Sequence, residues 1–563
     1  MQHRGPIAGI AAHGGYVATA GYDNQLILWD GRSRNALARA NHDHLVNACA
    51  FSADGRLLVS ASSDYSARIF EVPSLRLKAA LLGHEDDVDM AEFSPDGSAV
   101  ATCALDRCLR IFDLSGNLLK TFRGHEGNVL SLLWSLDGKR LVSSSVDGTV
   151  REWDVDTGAE LRRNDLDQRT DTVAMDALGR IYAGDDHGRI AVIVEGRPTY
   201  FKAHQAGIKK IAYDPARQVL VSLSYDRTLA VWQVEPNAAL REISRSPLPA
   251  VIWARAAALL DDGRVAIGSF GSSYAIFDWR SGEWDVEGID AGPGINAVAV
   301  LAGGVYSVGD AGTVFVDGEP CASMGSLCNF LLPLGGRVLT GGQLGQVFDA
   351  RSGEVLYEHR SPLNCAASFL REGRAHAVIG TYTGEALVFA LENDGGLRLV
   401  SSLKIYENAI KGLAADGETI FSVCASTDIA WHRIDDFSLV RYRRKVHERI
   451  ANACCIAGPG LFASVSRDRA LRIWDGEREE IYPSLHPNSV KCIGVSDDGA
   501  VLMTGSYGGT LAGFDLKSRS WLPMTRPTAS GISALAYDGR RDCFLAASYD
   551  GSIYETDRKG ALL

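Results

Sequence analysis

Short apolar segments alternate with polar turns along the whole chain. Between residues 125 and 157, apolar segments at 129–134, 140–144 and 149–153 are separated by Leu136-Asp137-Gly138 and Val146-Asp147-Gly148. Asp-Gly pairs of this kind join antiparallel strands in tight hairpins. No segment repeats its apolar positions with a helical period. The pattern therefore predicts an antiparallel meander of short strands.

The third strand of each meander ends in an aromatic residue that is often followed by an acid. The clear copies lie about forty residues, or a multiple of about forty residues, apart: Trp29-Asp30, Phe70-Glu71, Phe112-Asp113, Trp153-Asp154, Trp232-Gln233, Phe277-Asp278, Trp474-Asp475 and Phe514-Asp515. With the weaker copies between them, the period predicts fourteen units, each a small sheet of four strands. One such sheet cannot bury both of its faces, so neighbouring sheets must stack around an axis.

Two dipeptides recur at fixed places in the unit, Gly-His at its start and Trp-Asp at the end of its third strand. Gly83-His84, Gly124-His125, Trp153-Asp154 and Trp474-Asp475 are the clearest copies. In these motifs the chain resembles the WD40-repeat β-propeller family, and the resemblance extends from end to end. It implies that a His, a Ser or Thr, a turn Asp and a Trp form a hydrogen-bonded set within a blade.

Three sets are complete, namely His125, Ser143, Asp147 and Trp153; His204, Ser222, Asp226 and Trp232; and His447, Ser464, Asp468 and Trp474. Partial sets are Thr19, Asp23 and Trp29 without a clear His; His44, Ser60 and Asp64; and His84, Thr102 and Asp106. A buried carboxylate needs hydrogen-bond donors, and the His and the turn amides supply them. Because the sets recur inside single repeats, we interpret them as structural and expect no catalytic triad.

Fourteen blades in one ring would leave a wide hole, whereas seven lie within the usual range of four to eight. The sequence therefore predicts an all-β chain of two seven-bladed WD40 propellers in tandem, one over residues 1–285 and a more degenerate one over residues 286–563. Resemblance to tandem propellers implies that a terminal strand can close a ring from the other end of the chain.

By the same resemblance, the residue before each turn Asp lies on the rim of one circular face. In the first ring Tyr22, Tyr225 and Phe270 would form one aromatic patch, because their blades become neighbours when the ring closes. The corresponding residues of the second ring are Tyr382, Arg467, Tyr507 and Tyr549. Aromatic residues and Arg are enriched in interaction hot spots. The alternative is that each Tyr only leans on its neighbouring loop.

Two charged segments are further candidates for a partner site. Arg441, Arg443 and Lys445 alternate along a predicted outermost strand, and alternate residues of a strand share a face. They would meet an acidic protein or a phosphate, or they would only discourage edge pairing. Glu85, Asp86, Asp87 and Asp89 would meet a basic partner or remain solvated.

Composition excludes several classes of function. The chain has 57 Lys and Arg against 69 Asp and Glu, a net charge of -12, which argues against sequence-independent nucleic-acid binding. No apolar run is long enough for a membrane helix. Eleven cysteines without a Cys-x-x-Cys pair favour a reducing compartment, so we expect a cytoplasmic protein. We find no motif for a metal, a cofactor or a phosphate-binding loop.

Propellers are scaffolds that carry many functions, so the fold alone does not decide among them. The resemblance favours a non-enzymatic scaffold or adaptor that holds one or more protein partners in a multi-subunit assembly. One alternative is a sensor or adaptor of a bacterial signalling or defence system. Another is an enzyme that uses carboxylates or His around a central channel. The sequence leaves the oligomeric state open.

Overall fold

The chain is all-β. The computed structural model describes residues 1–301 and 304–563, and within them it contains strands, turns and bends but no helix. The chain divides into two compact units, Met1–Gly292 and Pro293–Leu563, which we call the N-terminal and C-terminal units. This division lies seven residues beyond the limit of 285 placed from the sequence, and the domain assignment itself stays a prediction.

The N-terminal unit contains seven four-stranded antiparallel sheets, each built from consecutive strands. The strands are β1 Ile7–His13, β2 Tyr16–Gly21, β3 Gln25–Asp30, β4 Ala36–Asn41, β5 Val46–Phe51, β6 Leu57–Ser62, β7 Ala67–Glu71, β8 Arg76–Leu81, β9 Val88–Phe93, β10 Ala99–Ala104, β11 Cys108–Asp113, β12 Leu118–Arg123, β13 Val129–Trp134, β14 Arg140–Ser145, β15 Thr149–Asp154, β16 Glu160–Asp165, β17 Thr170–Met175, β18 Ile181–Asp185, β19 Arg189–Val194, β20 Arg197–Lys202, β21 Ile208–Asp214, β22 Val219–Ser224, β23 Thr228–Val234, β24 Leu240–Pro247, β25 Ile252–Leu259, β26 Val265–Ser269, β27 Ala275–Asp278 and β28 Glu283–Asp285.

In the C-terminal unit the described residues form six four-stranded sheets and a last sheet of three strands. The strands are β29 Ile295–Leu301, β30 Gly304–Gly309, β31 Thr313–Val316, β32 Glu319–Ser323, β33 Cys328–Leu334, β34 Arg337–Gly342, β35 Gln346–Asp349, β36 Val355–Glu358, β37 Leu363–Arg371, β38 Arg374–Thr381, β39 Glu385–Leu391, β40 Leu397–Lys404, β41 Ile410–Ala415, β42 Thr419–Cys424, β43 Ile429–Arg433, β44 Leu439–Arg443, β45 Ala451–Gly458, β46 Leu461–Ser466, β47 Ala470–Asp475, β48 Arg478–Pro483, β49 Val490–Val495, β50 Val501–Ser506, β51 Leu511–Asp515, β52 Ser520–Thr525, β53 Ile532–Asp538, β54 Cys543–Ser548 and β55 Ile553–Thr556.

Each unit is a ring of sheets whose first strands pack side by side. In the N-terminal unit β1 contacts β5 and so on around to β25, which in turn contacts β1. In the C-terminal unit β53 contacts β29 in the same way. Since every described sheet consists of consecutive strands, the ring closes by packing of its first sheet on its last. A strand from the other end of the chain, which resemblance to tandem propellers allows, completes none of the described sheets.

The burial pattern explains the stacking. All residues of the middle strand β22 are buried, whereas most of the outermost strand β16 is exposed. The apolar clusters lie between sheets: Ile27 and Trp29 of the first sheet pack with Ala256 and Ile276 of the seventh. Each sheet thus buries its two faces against its neighbours, which a single sheet cannot do alone.

A bulge interrupts the pairing of the first and second strands near the start of each sheet. One residue of the first strand is skipped at Ala8, Asn47, Asp89, Leu130, Asp171, Lys209, Asn296, Asn329, Asn364, Lys411, Asn452, Lys491 and Ser533. In the seventh sheet the interruption spans Trp253 to Ala256. We call these the bulge residues. A bulge changes the direction in which a side chain points, and here this occurs on the innermost strand of every sheet.

Candidate interaction surfaces at the rim of each unit

The structure brings together all four residues of each complete set. In the fourth sheet His125 Nδ1 lies 2.8 Å from the Asp147 carboxylate, its Nε2 lies 2.8 Å from Ser143 Oγ, and the Trp153 indole donates to the same Oγ over 2.9 Å. The sets of the sixth sheet (His204, Ser222, Asp226, Trp232) and the twelfth sheet (His447, Ser464, Asp468, Trp474) have the same connections.

Two of the partial sets differ from the expectation. His42, and not His44, bonds to Asp64 and Ser60, over 2.8 and 2.7 Å, while His44 Nδ1 accepts the backbone amide of Leu45. The separation of eighteen residues between His and Ser or Thr, as in His125 and Ser143, would have selected His42.

The set of the first sheet, for which the sequence showed no clear His, does contain one. His3 lies 3.0 Å from Asp23 Oδ1 and 2.7 Å from Thr19 Oγ1, so the set of this sheet is complete with Trp29. Sequence reasoning missed His3 because it stands outside the periodic strands, at the start of the chain.

The serines of these sets are unsuited to nucleophilic attack. Ser143, Ser222 and Ser464 are fully buried, and the hydroxyl of each is held between a His nitrogen and an indole N–H. A nucleophile needs access to its substrate and a free line of approach. Their arrangement stabilises the blade instead, because every polar atom of the set has a buried partner.

The rim residues are held beside the bulge residues by backbone hydrogen bonds. The N–H of Tyr22 donates to Pro6 O, that of Tyr225 to Gly207 O and that of Phe270 to Val251 O. The rim positions of the C-terminal unit bond in the same way, at Asp310, Gln343, Tyr382, Ala425, Arg467, Tyr507 and Tyr549. A rim residue and a bulge residue of each sheet therefore lie side by side at one end of the innermost strands. We call the space that these strands surround the channel, and this end of it the channel end. In the fifth sheet this position belongs to Asp186.

An aromatic cluster joins the first and seventh sheets. The Trp253 ring lies 5.2 Å from Tyr22 and 5.8 Å from Phe270 between centroids, and the Arg255 guanidinium lies 5.6 Å above Trp253. Phe270 is only 7% exposed, so it supports the cluster from below and is not the exposed rim residue that the sequence predicted. Tyr22 and Trp253 are half-buried.

Tyr225 stands beside this cluster and contacts Lys209, whose ammonium lies 4.8 Å from the ring centroid. Lys209 also forms ion pairs with Asp171 over 2.6 Å and with Asp186 over 2.5 Å, and Arg169 lies 2.7 Å from Asp171. Burial raises the pKa of Asp171, but Arg169 and Lys209 outweigh it and hold that pKa below its usual range. The cations and carboxylates of this part of the face compensate one another.

Acids and bases also approach one another across the N-terminal ring. Arg255 of the seventh sheet lies 3.7 Å from Asp89 of the third. Burial raises the pKa of Asp89 to about 6 although Arg255 opposes the shift. Burial likewise raises the pKa of Glu92, further along the same strand, to about 7, with Lys210 acting against it. Of the acidic segment predicted from the sequence, Glu85 is exposed, Asp87 is buried and Asp89 lines the ring.

The C-terminal unit has a different cluster at the same positions. The rings of Tyr507 and Tyr549 stack 6.4 Å apart, and Arg467 and Lys491 lie 5.6 and 5.9 Å from the Tyr507 centroid. Burial raises the pKa of Tyr507, but the charges of Lys491 and Arg467 outweigh it and lower the pKa. The Lys411 ammonium lies 5.2 Å from the centroid of Tyr382. We call Tyr382, Lys411, Arg467, Lys491, Tyr507 and Tyr549 the cation–tyrosine cluster.

Two lysines of this cluster act on the same buried thiol. Burial raises the pKa of the Cys365 thiol to about 12, and the charges of both Lys411 and Lys491 oppose that rise. Gly531 makes the approach of the two tyrosines possible. A Cβ at this position would lie 3.0 Å from Tyr549 Cδ2 and 3.1 Å from Tyr507 O.

The basic strand predicted from the sequence is bound to the neighbouring sheet. Arg441 donates to Gly476 O and lies 5.3 Å over the Trp431 ring, and Arg443 lies 5.5 Å over Trp474 and 3.5 Å from Glu479. Lys445 does not share their strand, because β44 ends at Arg443 and Lys445 has a φ of 50°. The expectation that the three side chains project together is wrong for Lys445.

Sequence reasoning missed the bulge residues, among them Lys209, Trp253, Lys411 and Lys491. The rim residues were found by their spacing to the aromatic anchors, but the strand that faces the channel carries no motif of its own. Its position could have been read from the rim, since Lys209 and Lys491 each lie sixteen residues before the rim tyrosine of their sheet.

The structure also bears on metal sites and membrane segments. Within residues 1–301 and 304–563 no group of three or more His, Cys, Asp or Glu is placed to hold a metal ion. In the same residues no helix is long and apolar enough to cross a membrane.

Comparisons with known proteins agree with the repeat pattern. The family model "WD domain, G-beta repeat" matches residues 37–71, 75–113, 116–154 and 197–233. The chain is 27% identical over 228 residues to Periodic tryptophan protein 2 homolog of Dictyostelium discoideum and 28% identical over 218 residues to Periodic tryptophan protein 2 of Arabidopsis thaliana. These alignments cover 39% and 37% of this chain and 20% of each relative.

A further relative is a subunit of Chromatin assembly factor 1 of Mus musculus, 22% identical over 237 residues, which are 41% of this chain and 32% of the relative. The matched part of this chain thus spans a third or less of each relative's length. The matched repeats and the rings of four-stranded sheets together show that the chain contains WD40 repeats.

Proposed function

We propose that the chain is a non-enzymatic scaffold that binds a protein partner at the channel end of its N-terminal unit, as part of a multi-subunit assembly. One observation carries the proposal: Tyr22, Trp253 and Arg255 meet at the face where rim and bulge residues converge. Trp, Tyr and Arg are the residues that most often dominate binding energy at interfaces, above all where they are packed against supporting side chains. Phe270 provides that support here.

The relatives support the same function. One of them is, by its name, a subunit of an assembly factor. The His-Ser-Asp sets could otherwise suggest hydrolysis. Here they serve the structure of the blade, because each hydroxyl is buried and hydrogen-bonded to a His nitrogen and a Trp indole. These observations favour a binding function over an enzymatic one.

Affinity purification of the tagged full-length protein from its own cells, with mass spectrometry of the co-purified proteins, tests the proposal. The change Tyr22→Ala with Trp253→Ala should remove the main partner, because it deletes the two half-buried rings at the face. Tyr200→Ala is the matched control, since Tyr200 is an exposed aromatic of the outermost strand β20. Equal recovery of the partner by both variants, with melting temperatures preserved, would contradict the proposal.

A further inference from the structure

The cation–tyrosine cluster of the C-terminal unit carries more positive charge than its fold requires. In other sheets of this unit the bulge residue has a short polar side chain that forms hydrogen bonds within the ring. Asn329 donates to Leu363 O over 2.8 Å, Asn364 to Ile410 O over 2.7 Å and Asn452 to Val490 O over 2.6 Å, each reaching the next sheet. A short amide therefore suffices at this position, yet Lys411 and Lys491 stand there in the eleventh and thirteenth sheets.

Cations outnumber acids at the rim and bulge positions of this face. Among the seven rim and seven bulge positions of the C-terminal unit, the cations are Lys411, Arg467 and Lys491, and the one acid is Asp310. Burial raises the pKa of Asp310 to about 7, with Asn296 opposing the shift through a hydrogen bond, so this carboxyl is only partly ionised at neutral pH. The corresponding positions of the N-terminal unit carry Asp89, Asp171 and Asp186 beside Lys209.

The aromatic rings point to a peptide rather than to a nucleic acid. Tyr507 and Tyr549 stack on each other, and cations lie over Tyr507 and Tyr382. Single-stranded nucleic acids bind by stacking bases on aromatic faces, and here those faces are engaged by neighbours within the unit. A carboxylate needs only charge-assisted hydrogen bonds from Lys and Arg.

We propose that the channel end of the C-terminal unit binds an acidic peptide segment, whose side-chain carboxylates are held by Lys411, Arg467 and Lys491. The inference rests on the proposed scaffold function and adds a second site to it, in a different unit and with different chemistry. The tyrosines hold the three cations in place over their ring faces, so less side-chain freedom is lost when a carboxylate binds.

Fluorescence anisotropy with a labelled oligoglutamate and the full-length protein tests this site. The variant K411Q/K491Q should bind at least about tenfold more weakly, because two charge-assisted hydrogen bonds are lost. The control R441Q/R443Q removes the same number of charges from the same unit, on an outermost strand away from the channel, and should change the affinity by less than about twofold. Equal loss in both variants, or no binding by the unchanged protein, would overturn the inference.

Two further variants of the experiment distinguish this site from a packing defect and from a nucleic-acid site. K411R/K491R keeps the charges and should retain the affinity, so a loss of binding in K411Q/K491Q that Arg does not restore would count against the site. If a labelled oligouridylate binds more tightly than oligoglutamate at the same salt concentration, the site binds a nucleic acid and the peptide proposal is wrong.

Because Tyr22→Ala with Trp253→Ala leaves the C-terminal cluster intact, its effect on the co-purified partner separates failure of the scaffold proposal from failure of this one.

Discussion

The two units use the same positions of the same fold for different chemistry. In the N-terminal unit the charged bulge and rim residues pair with one another, as Lys209 does with Asp171 and Asp186. In the C-terminal unit Lys491 and Arg467 lie over a tyrosine ring. A bulge at the innermost strand is therefore a position that the ring holds in place but whose residue type it leaves open. Binding chemistry can change there while the blade core stays the same.

The units also differ in how they keep their blades rigid. Five sheets of the N-terminal unit contain the His, Ser or Thr, and Asp connection, in sets centred on His3, His42, His84, His125 and His204. In the C-terminal unit the eleventh sheet replaces the His by Tyr406, whose hydroxyl lies 2.8 Å from Ser422 Oγ. The thirteenth sheet keeps His486 but replaces the Asp by Thr510, 2.7 Å from the ring nitrogen. A buried polar network can therefore lose a member as long as each remaining polar atom keeps a partner.

The largest effect should follow from removing the indole of a complete set. Trp232→Ala in the sixth sheet deletes a fully buried ring and the donor to Ser222, and should lower the free energy of unfolding of the N-terminal unit by about 3–5 kcal/mol. Hydrogen exchange with mass spectrometry over β21–β24 measures the loss for this unit alone. Unchanged protection of these strands would show that the set does not stabilise its blade.

A slightly smaller effect should separate the two kinds of bulge lysine. Lys209→Ala leaves the buried carboxylates Asp171 and Asp186 with Arg169 as their one remaining ion-pair partner and should cost about 3 kcal/mol. Lys491→Ala removes a cation from the face of Tyr507 and should cost about 1 kcal/mol or less. Hydrogen exchange of β21 and β49 gives both values. Equal losses would mean that the two units do not differ in charge compensation as we describe.

The next effect is a dependence on pH. Burial lowers the pKa of His486 to about 4, and its partners are two threonine hydroxyls. The unfolded chain, with an ordinary His pKa near 6.5, therefore binds a proton at pH values at which His486 of the folded unit stays neutral. As a result, stability falls as pH falls from about 6.5 toward about 4. This residue should account for a loss of about 2 kcal/mol at pH 5. His486→Gln should remove that part of the pH dependence; an unchanged pH profile would contradict the assignment.

The smallest effect tests the spacing of the stacked tyrosines. Gly531→Ala places a Cβ against Tyr549 and Tyr507 and should destabilise the C-terminal unit by about 1 kcal/mol. Gly417→Ala is the control, because nothing lies within 4 Å of a Cβ at that position. Exchange protection of β53 and β54 reports the difference, and equal protection in the two variants would show that the tyrosines have room to move.

The sequence predicted the repeating sheets because each blade carries local signals, namely Asp-Gly turns and an aromatic anchor such as Trp153. The fixed spacing to that anchor also gives positions such as Tyr507, whose role in binding stays a prediction. Ring closure could not be read from it, because contacts between β1 and β25 join positions that are more than two hundred residues apart and carry no shared motif. The WD40 repeats and the all-β fold are confirmed by the matched repeats and the sheets.

The site was predictable only in part. Tyr22 was found from its spacing, but its partner Trp253 was not, because the contact depends on which sheets become neighbours and on a bulge that exposes one residue of a buried strand. Phe270 was placed correctly in the ring but is buried under Trp253. The pairing of Lys209 with two carboxylates likewise depends on tertiary geometry. The scaffold role, the cytoplasmic location and the absence of catalysis stay predictions.

One measurement tests most directly whether the channel end of the rings binds the partner. A photo-crosslinking residue is placed in living cells either at Tyr225, the rim position beside the cluster of Tyr22 and Trp253, or at Tyr200, an exposed position of β20 on an outermost strand. We expect the position 225 variant to crosslink to the partner and the position 200 variant not to do so. Crosslinking from position 200 alone would contradict binding at the channel end.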